Sequence, residues 1–537
     1  MTTHDGERLA TRSWERIEIQ SGDESPHSIA VPQSGTSDVP TQSMGTRAGR
    51  VGTRRSFLGR ALGSGAGLLI LPSAKTAFGY QANARLNLAV VGVGGYCAAT
   101  AFLPGVHQLN LNIVALCDVD EKRLAQPYKL WDERAQSWPS SSNRTEREAA
   151  DRYRRLVKDK PKFFPDFRRM LDEMDDQIDA VVCATPDHSH AVISAAALRA
   201  GKHILCEKPL TITVGEARAL RELSAERKLA TSMGNQGTQS PQFRRAVELI
   251  REGAIGPVEE VHVWFSRGGR DHREPPLGSE PVREGLYWDL WLGPVAWRPY
   301  HPRWIARTHW RDTSAGELGN FGPHTANMAF MGLNIADLWK AKASDQSREP
   351  IRVEARFSNL NRLSFPRWEV IHWKVPARGK LPPVTITWHH GPTPDLSPGS
   401  RELIEGLVRK RGLPVEALRK DVGALIVGSE GVIATTSHNT EFVMLPDEKF
   451  RHVEKKEPQT IRPSRGHYND WVLACQGGET PLADFGYSAT LNEFLMLGTV
   501  ATQFDAELKY DPIAGKIVNH EEADRALSYQ YREGWKL

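Results

Sequence analysis

Three stretches of this chain hold residue types that could move a proton or grip a polyanion. The first is Cys206-Glu207-Lys208-Pro209, which closes the short apolar run His203–Cys206. A lysine at the C-terminal edge of a strand in an α/β sheet points into the crevice where such folds take ligands. Pro209 fixes its own φ and restricts Lys208, so the amine rides on stiff backbone. By themselves, Glu207 and Lys208 would also fit a solvated charge pair at a strand end. The second stretch is Gly92-Val93-Gly94-Gly95-Tyr96-Cys97, directly after the β-type run 85–91. Gly92 and Gly94 permit a tight turn and close approach of backbone to a pyrophosphate, and a helix starting there offers unpaired N–H groups to phosphates. Cys97 stands where glycine or alanine is usual, which loosens the helix–strand packing. The third is Cys117-Asp118-Val119-Asp120, at the end of the run 111–116. An acid about 20 residues past the glycines accepts hydrogen bonds from ribose hydroxyls. Asp118 therefore favours NAD over NADP, whose 2′-phosphate would meet its charge, while Lys122 and Arg123 keep NADP open.

These groups need strands and helices to hold them. The run 178–184 is followed by Thr185-Pro186-Asp187-His188-Ser189-His190, a helical stretch 191–199, Gly201 and then His203–Cys206. Strand, turn, helix and strand repeat the βαβ pattern of a parallel, doubly wound sheet. From about Met233 the pattern changes to β-runs: Val258–Phe265, Ile351–Phe357, 384–388, 424–427 and Val432–Thr435. Two stretches read as additions. Residues 126–162 are charged and helix-prone with a break at Trp138-Pro-Ser-Ser-Ser, and 376–400 is Pro- and Gly-rich loop enclosing one strand. The expected division is a leader over 1–79, a dinucleotide-binding domain over 80–232 and a second α/β domain over 233–537.

In their order, these residues resemble the Gfo/Idh/MocA family, the relatives of glucose–fructose oxidoreductase and inositol dehydrogenase. The resemblance runs from about Arg85 to Leu537. It rests on Gly92-Val-Gly94-Gly95, Cys117-Asp118-Val-Asp120, Thr185-Pro186-Asp187-His188-Ser-His190 and Gly201-Lys-His-Ile-Leu-Cys-Glu207-Lys208-Pro209. Met233-Gly-Asn235-Gln236-Gly, Trp288-Asp-Leu-Trp-Leu-Gly-Pro294 and the closing Tyr531-Arg-Glu-Gly-Trp535 extend it. It implies a Rossmann domain followed by an α/β domain with a large open, mainly antiparallel sheet, through which copies of the chain would form a homo-oligomer. It also implies a nicotinamide cofactor held by Gly92, Gly94, Gly95, Asp118, Thr185, Pro186, His190, Glu207 and Lys208, and a sugar or cyclitol substrate. The family's second catalytic stretch has the pattern Asp-x-Gly-x-His-x-x-Asp, where this chain reads Asn320-Phe-Gly-Pro-His324-Thr-Ala-Asn327. His324 is in place, but both carboxylates are amides. Positions 320, 324 and 327 would share one helix face. Asn320 can orient His324 or bond a substrate hydroxyl, yet it cannot take a proton.

At 537 residues the chain exceeds one ordinary core. A net charge of +4, with dispersed basic residues, gives no nucleic-acid footprint. Residues 1–46 are polar and aperiodic. Thr53-Arg54-Arg55-Ser56-Phe57-Leu58 and a glycine-containing apolar run over 61–71 then read as a twin-arginine export signal, with Ala77-Phe78-Gly79 as a cleavage site. That run is too short to span a bilayer, so the protein is expected to be periplasmic rather than membrane-embedded, with translation starting at Met1 or Met44. Cys97, Cys117, Cys183, Cys206 and Cys475 show neither CxxC nor zinc spacing, so they read as buried thiols with no metal site. Trp288, Trp291, Trp297, Trp304 and Trp310 crowd one stretch and could stack on sugar rings, although core anchoring explains most such aromatics.

The expected activity is hydride transfer from a sugar or cyclitol hydroxyl carbon to NAD, with Lys208 polarising or deprotonating the oxygen, His324 as partner base and Asn320 as orienter. Two alternatives stay open: an NAD-dependent glycosidase, and a cofactor-retaining binding protein, which Asn320 and Asn327 would suit.

Overall fold

Short apolar runs ending in glycine or a polar turn make parallel strands whose C-terminal ends line up along one edge. The computed structural model describes residues 85–95, 109, 111–266, 274–340, 349–391, 405–406, 409–410, 421–453 and 455–537, all within one compact unit. The leader with Arg54 and Arg55, Cys97, and the end of the 376–400 loop lie outside them. Among the described residues the first sheet has six strands: β1 (Leu86–Val91), β2 (Leu111–Cys117), β3 (Lys162–Phe164), β4 (Ala180–Cys183), β5 (His203–Cys206) and β6 (Thr231–Met233). Their order is β3-β2-β1-β4-β5-β6 and every pairing is parallel. This is the doubly wound Rossmann arrangement, with the strand order reversing at β1. Register decides what the edge displays. Val91 pairs with Cys117 and Cys183, and Cys206 pairs with Cys183 and Met233. The residues that follow these strands, Gly92, Asp118, Ala184, Glu207 and Gly234, therefore leave the sheet at one level.

The addition after β2 is two helices, Glu121–Ser137 and Arg144–Asp159, joined by a 3₁₀ turn at Trp138–Ser140. Asp120 and Asn143 cap their N-termini through side-chain oxygens.

A second sheet of nine described strands uses β7 (Val258–Phe265), β8 (Ile351–Phe357), β9 (Glu369–Val375), β10 (Val384–His390), β11 (Val422–Gly428), β12 (Val432–Thr435), β13 (Phe442–Leu445), β14 (Leu508–Asp511) and β15 (Lys516–Ile517). Its order is β13-β12-β11-β7-β10-β9-β8-β14-β15, antiparallel except for β7 with β10. The helices Gly316–Thr325 and Phe485–Ala501 pack on this sheet, and the second of them also packs on the helix Val214–Arg227 beside the first sheet. Glu493 ties that junction together. Wholly buried, it accepts from Arg218 at 3.0 Å, Arg221 at 2.5 Å and the Trp339 indole at 2.7 Å, as well as from the Tyr510 hydroxyl. The two sheets are thus held by one multiply bonded carboxylate as well as by apolar packing.

Candidate active site

Gly92 turns the chain out of β1 with φ +83°, and a Cβ there would stand 2.6 Å from the backbone of Ala184, so only glycine fits. The Asp118 carboxylate faces this turn. It accepts from the Val93 and Gly94 amides at 3.0 and 3.2 Å and from the Asp120 amide at 3.0 Å. Burial raises its pKa against those three bonds. A cleft opens here, lined by Gly92, Gly94, Asp118, Thr185 and Pro186, with Phe167, Trp291 and Trp535 among its apolar walls. Asp120 pairs with Arg283, which comes from outside the Rossmann strands. Although burial pushes its carboxyl up, Arg283 outweighs that and holds it below the usual range. Carboxylate, glycine turn, Arg123 beside Gly94 and flat aromatic walls suit a ribose, a pyrophosphate and a base, so the residues present fit a dinucleotide.

Glu207 and Lys208 leave β5 one strand further along. Both Glu207 oxygens are buried without a hydrogen-bond partner, and a Cβ on Gly234 would lie 2.2 Å from one of them. Burial raises this carboxyl, with Lys208 and His190 opposing. Such an orphaned acceptor fits an amide donor like a nicotinamide carboxamide.

Lys208 turns the other way, to the helix Gly316–Thr325 of the second sheet's layer. Its Nζ donates to the backbone oxygen of Asn320 at 2.8 Å and to Asn320 Oδ1 at 2.9 Å. Arg307 also donates to Oδ1, at 2.9 Å, while Asn320 Nδ2 donates to Glu317 at 2.9 Å. The amide is therefore oriented with its oxygen toward two cations and its nitrogen toward a carboxylate. Burial, then Arg307, lowers the Lys208 pKa to about 8, against Asp187, Glu207 and Glu317. A lysine so tuned can accept a proton near neutral pH. Arg307 and Glu317 were not among the residues expected from sequence. Glu317 was findable, three residues before Asn320 on the same helix face; Arg307 carries no local signal.

His324 shares that helix with Asn320. Asn235 Nδ2 donates to the Pro323 carbonyl at 2.5 Å, which leaves Asn235 Oδ1 to accept from His324 Nδ1 at 3.3 Å. The ring is then neutral with its Nε2 lone pair available. Burial, Lys208 and His438 hold its pKa well below the ordinary value. Asn327 does not join the stripe expected of it. The helix stops at Thr325 and a second one, Asn327–Gly332, begins. The Pro323 carbonyl that would take the Asn327 amide in a continuous helix is the one bonded to Asn235. Asn327 Oδ1 accepts instead from the Tyr487 hydroxyl at 2.5 Å.

His190 does not line the cleft. Its Nδ1 and Nε2 face the Pro209 and Thr185 carbonyls at 2.6 and 2.9 Å. Carbonyls only accept, so both contacts are satisfied only by the doubly protonated ring. Burial disfavours that cation, but Cys183, Asp187 and the two carbonyls outweigh it and raise the pKa. Cys183, Cys206 and His190 come within 4.8 Å of one another, yet a ring donating from both nitrogens has no lone pair for a metal. His190 thus clamps the turn after β4 to the Lys208-Pro209 turn. Of the clustered tryptophans, Trp288, Trp291 and Trp310 are buried and only Trp297 is largely exposed, at 64%.

Comparison with known proteins bears on the segment that carries the glycine turn and the strands of the first sheet. The family profile described as an oxidoreductase family with an NAD-binding Rossmann fold, GFO_IDH_MocA, matches residues 86–235. A levoglucosan dehydrogenase of Pseudarthrobacter phenanthrenivorans is 39% identical over 93 residues, 17% of this chain and 23% of that protein. An inositol 2-dehydrogenase of Rhizobium meliloti is 33% identical over 113 residues, 21% of this chain and 33% of its own length. An uncharacterized oxidoreductase of Schizosaccharomyces pombe is 25% identical over 313 residues, 56% of this chain and 72% of the relative. The chain thus spans only about a quarter to a third of the length of the two named dehydrogenases. Over residues 86–235, the chain is similar to the NAD-binding Rossmann domain of the Gfo/Idh/MocA oxidoreductase family.

Proposed function

We propose that this protein oxidises a hydroxyl of a sugar or cyclitol, with NAD bound along the β1–β5 edge and the substrate set against the paired Lys208 and Asn320 side chains and His324. One observation carries the reading: a half-buried lysine with its pKa lowered to about 8, held on the Asn320 amide and preceded along the chain by a carboxylate that no donor satisfies. Asp118 would hold ribose hydroxyls, the glycine turn and Arg123 the pyrophosphate, and Glu207 the carboxamide. When bound, the nicotinamide supplies a hydride acceptor. Lys208 in its neutral form takes the hydroxyl proton as the adjacent C–H bond breaks. Asn320 keeps the amine aimed, with its own oxygen pinned by Arg307. Neutral His324 accepts a hydrogen bond from the substrate through Nε2. The names of the two dehydrogenases, of levoglucosan and of inositol, support the substrate class. Incubation with NAD and a panel of sugars, cyclitols and glycosides tests this: NADH should accumulate with at least one free hydroxyl donor. Release of aglycone with no net NADH would overturn it in favour of glycoside cleavage.

The proposal includes export by the twin-arginine route, supported by Arg54-Arg55 ahead of a weakly apolar run. Changing both to lysine should strand the protein in the cytoplasm in cell fractionation; unchanged export would contradict it. It also includes a homo-oligomer through the second sheet, whose outer strand β13 leaves Val443 47% exposed.

A further inference from the structure

The cleft beside Asp118 has one wall that comes from neither the glycine turn nor the neighbouring strands. Trp535 lines it, more than 300 residues along the chain from the last strand of the Rossmann sheet. The segment carrying it has no helix or strand, yet it is pinned on both sides of the indole. Before it, Arg532 donates to the Asp289 carboxylate at 2.5 Å and to the Gly293 carbonyl at 2.6 Å, and its amide donates to the Pro294 carbonyl at 3.1 Å. After it, Arg199 donates to the Leu537 backbone oxygen at 2.7 Å. The ring itself rests on the residues after β3: its centroid is 6.1 Å from that of Phe167, and the Arg168 guanidinium stands 4.4 Å over it. These anchors fix the indole, so little freedom remains to be lost when a ligand stacks on it.

Position says which part of a dinucleotide it meets. Asp118, at the end of β2, marks the ribose of the adenosine half. Trp535 sits on Phe167, beyond β3, on the far side of β2 from β5 and its Glu207-Lys208 turn. We propose that Trp535 is the platform on which the adenine of the cofactor stacks, so that the 529–537 segment straps the adenosine half into its cleft. The inference rests on the NAD-dependent reading above. Flat π-faces recognise a purine by stacking, and such contacts are sequence-tolerant and substantial.

The test compares NADH with reduced nicotinamide mononucleotide, which lacks the adenosine half, on the full-length protein and its Trp535→Ala and Trp535→Phe variants. Trp535→Ala should weaken NADH at least about tenfold, chiefly through faster release, Trp535→Phe should recover most of that loss, and mononucleotide affinity should stay unchanged. NADH held equally by Trp535→Ala and the parent would overturn the inference. So would equal weakening of both ligands, which would make the indole a support of the domain rather than an adenine platform. A parent protein that binds neither ligand would instead overturn the functional reading, and the strap with it.

Discussion

In the proposed reaction Lys208 is singled out by three conditions that meet on one amine: burial, a neighbouring cation, and a neutral partner. Burial and Arg307 disfavour its charged form, and Asn320, unlike an aspartate, does little to restore it. We therefore propose that the amide at position 320 tunes the lysine rather than marking a lost site. Asn320→Asp should place a carboxylate beside Nζ and oppose Glu317, stabilising the ammonium form. Since the neutral amine is the active form in oxidation, the rise of kcat with pH should move upward from about 8, by about one pH unit or more. A pH–rate profile with the limb unmoved, or moved downward, would contradict this tuning. The identities of Lys208, Asn320 and His324 were legible from sequence, since each sits in a motif with a stated chemical need. Arg307 was not, because its contact with Asn320 depends on how a loop folds over a helix.

At the scale of elements, parallel strands of matched length bring Gly92, Asp118, Thr185 and Glu207 to one edge, and apolar runs punctuated by glycine announced most of those strands. β9 was missed: Glu-Val-Ile-His-Trp-Lys-Val mixes polar and apolar residues because Glu369 and His372 are themselves partly or wholly covered. At the third position of the stripe at 320, 324 and 327, Asn327 opens a separate short helix and its amide oxygen accepts from Tyr487. Helical spacing cannot reveal that distant side chains, Asn439 and Tyr487, will bond the Met328 amide and the Asn327 side chain. Element-scale stability should depend on Glu493, where two arginines, an indole and a phenol converge on a wholly buried carboxylate. Glu493→Gln should destabilise the fold by about 3–5 kcal/mol, because the arginines are left without their counter-charge. Denaturant unfolding checks it, and a loss under about 1 kcal/mol would show that packing alone joins the layers.

Over the whole molecule, two sheets contribute to the candidate site. The cleft beside Asp118 belongs to the first, while Asn320, His324 and Arg307 come from the layer of the second, so in the proposed reaction proton acceptor and substrate would be positioned by different halves. None of the described helices is long and apolar enough to cross a membrane. The central claim is that Lys208 acts on the substrate rather than on the dinucleotide. Substrate-dependent NADH formation by the parent and by Lys208→Met, measured across pH alongside NADH affinity, tests it most directly. The parent rate should rise through about pH 8, Lys208→Met should show no turnover, and NADH affinity should be alike in both. Turnover by Lys208→Met equal to the parent, or loss of NADH binding in step with activity, would contradict it.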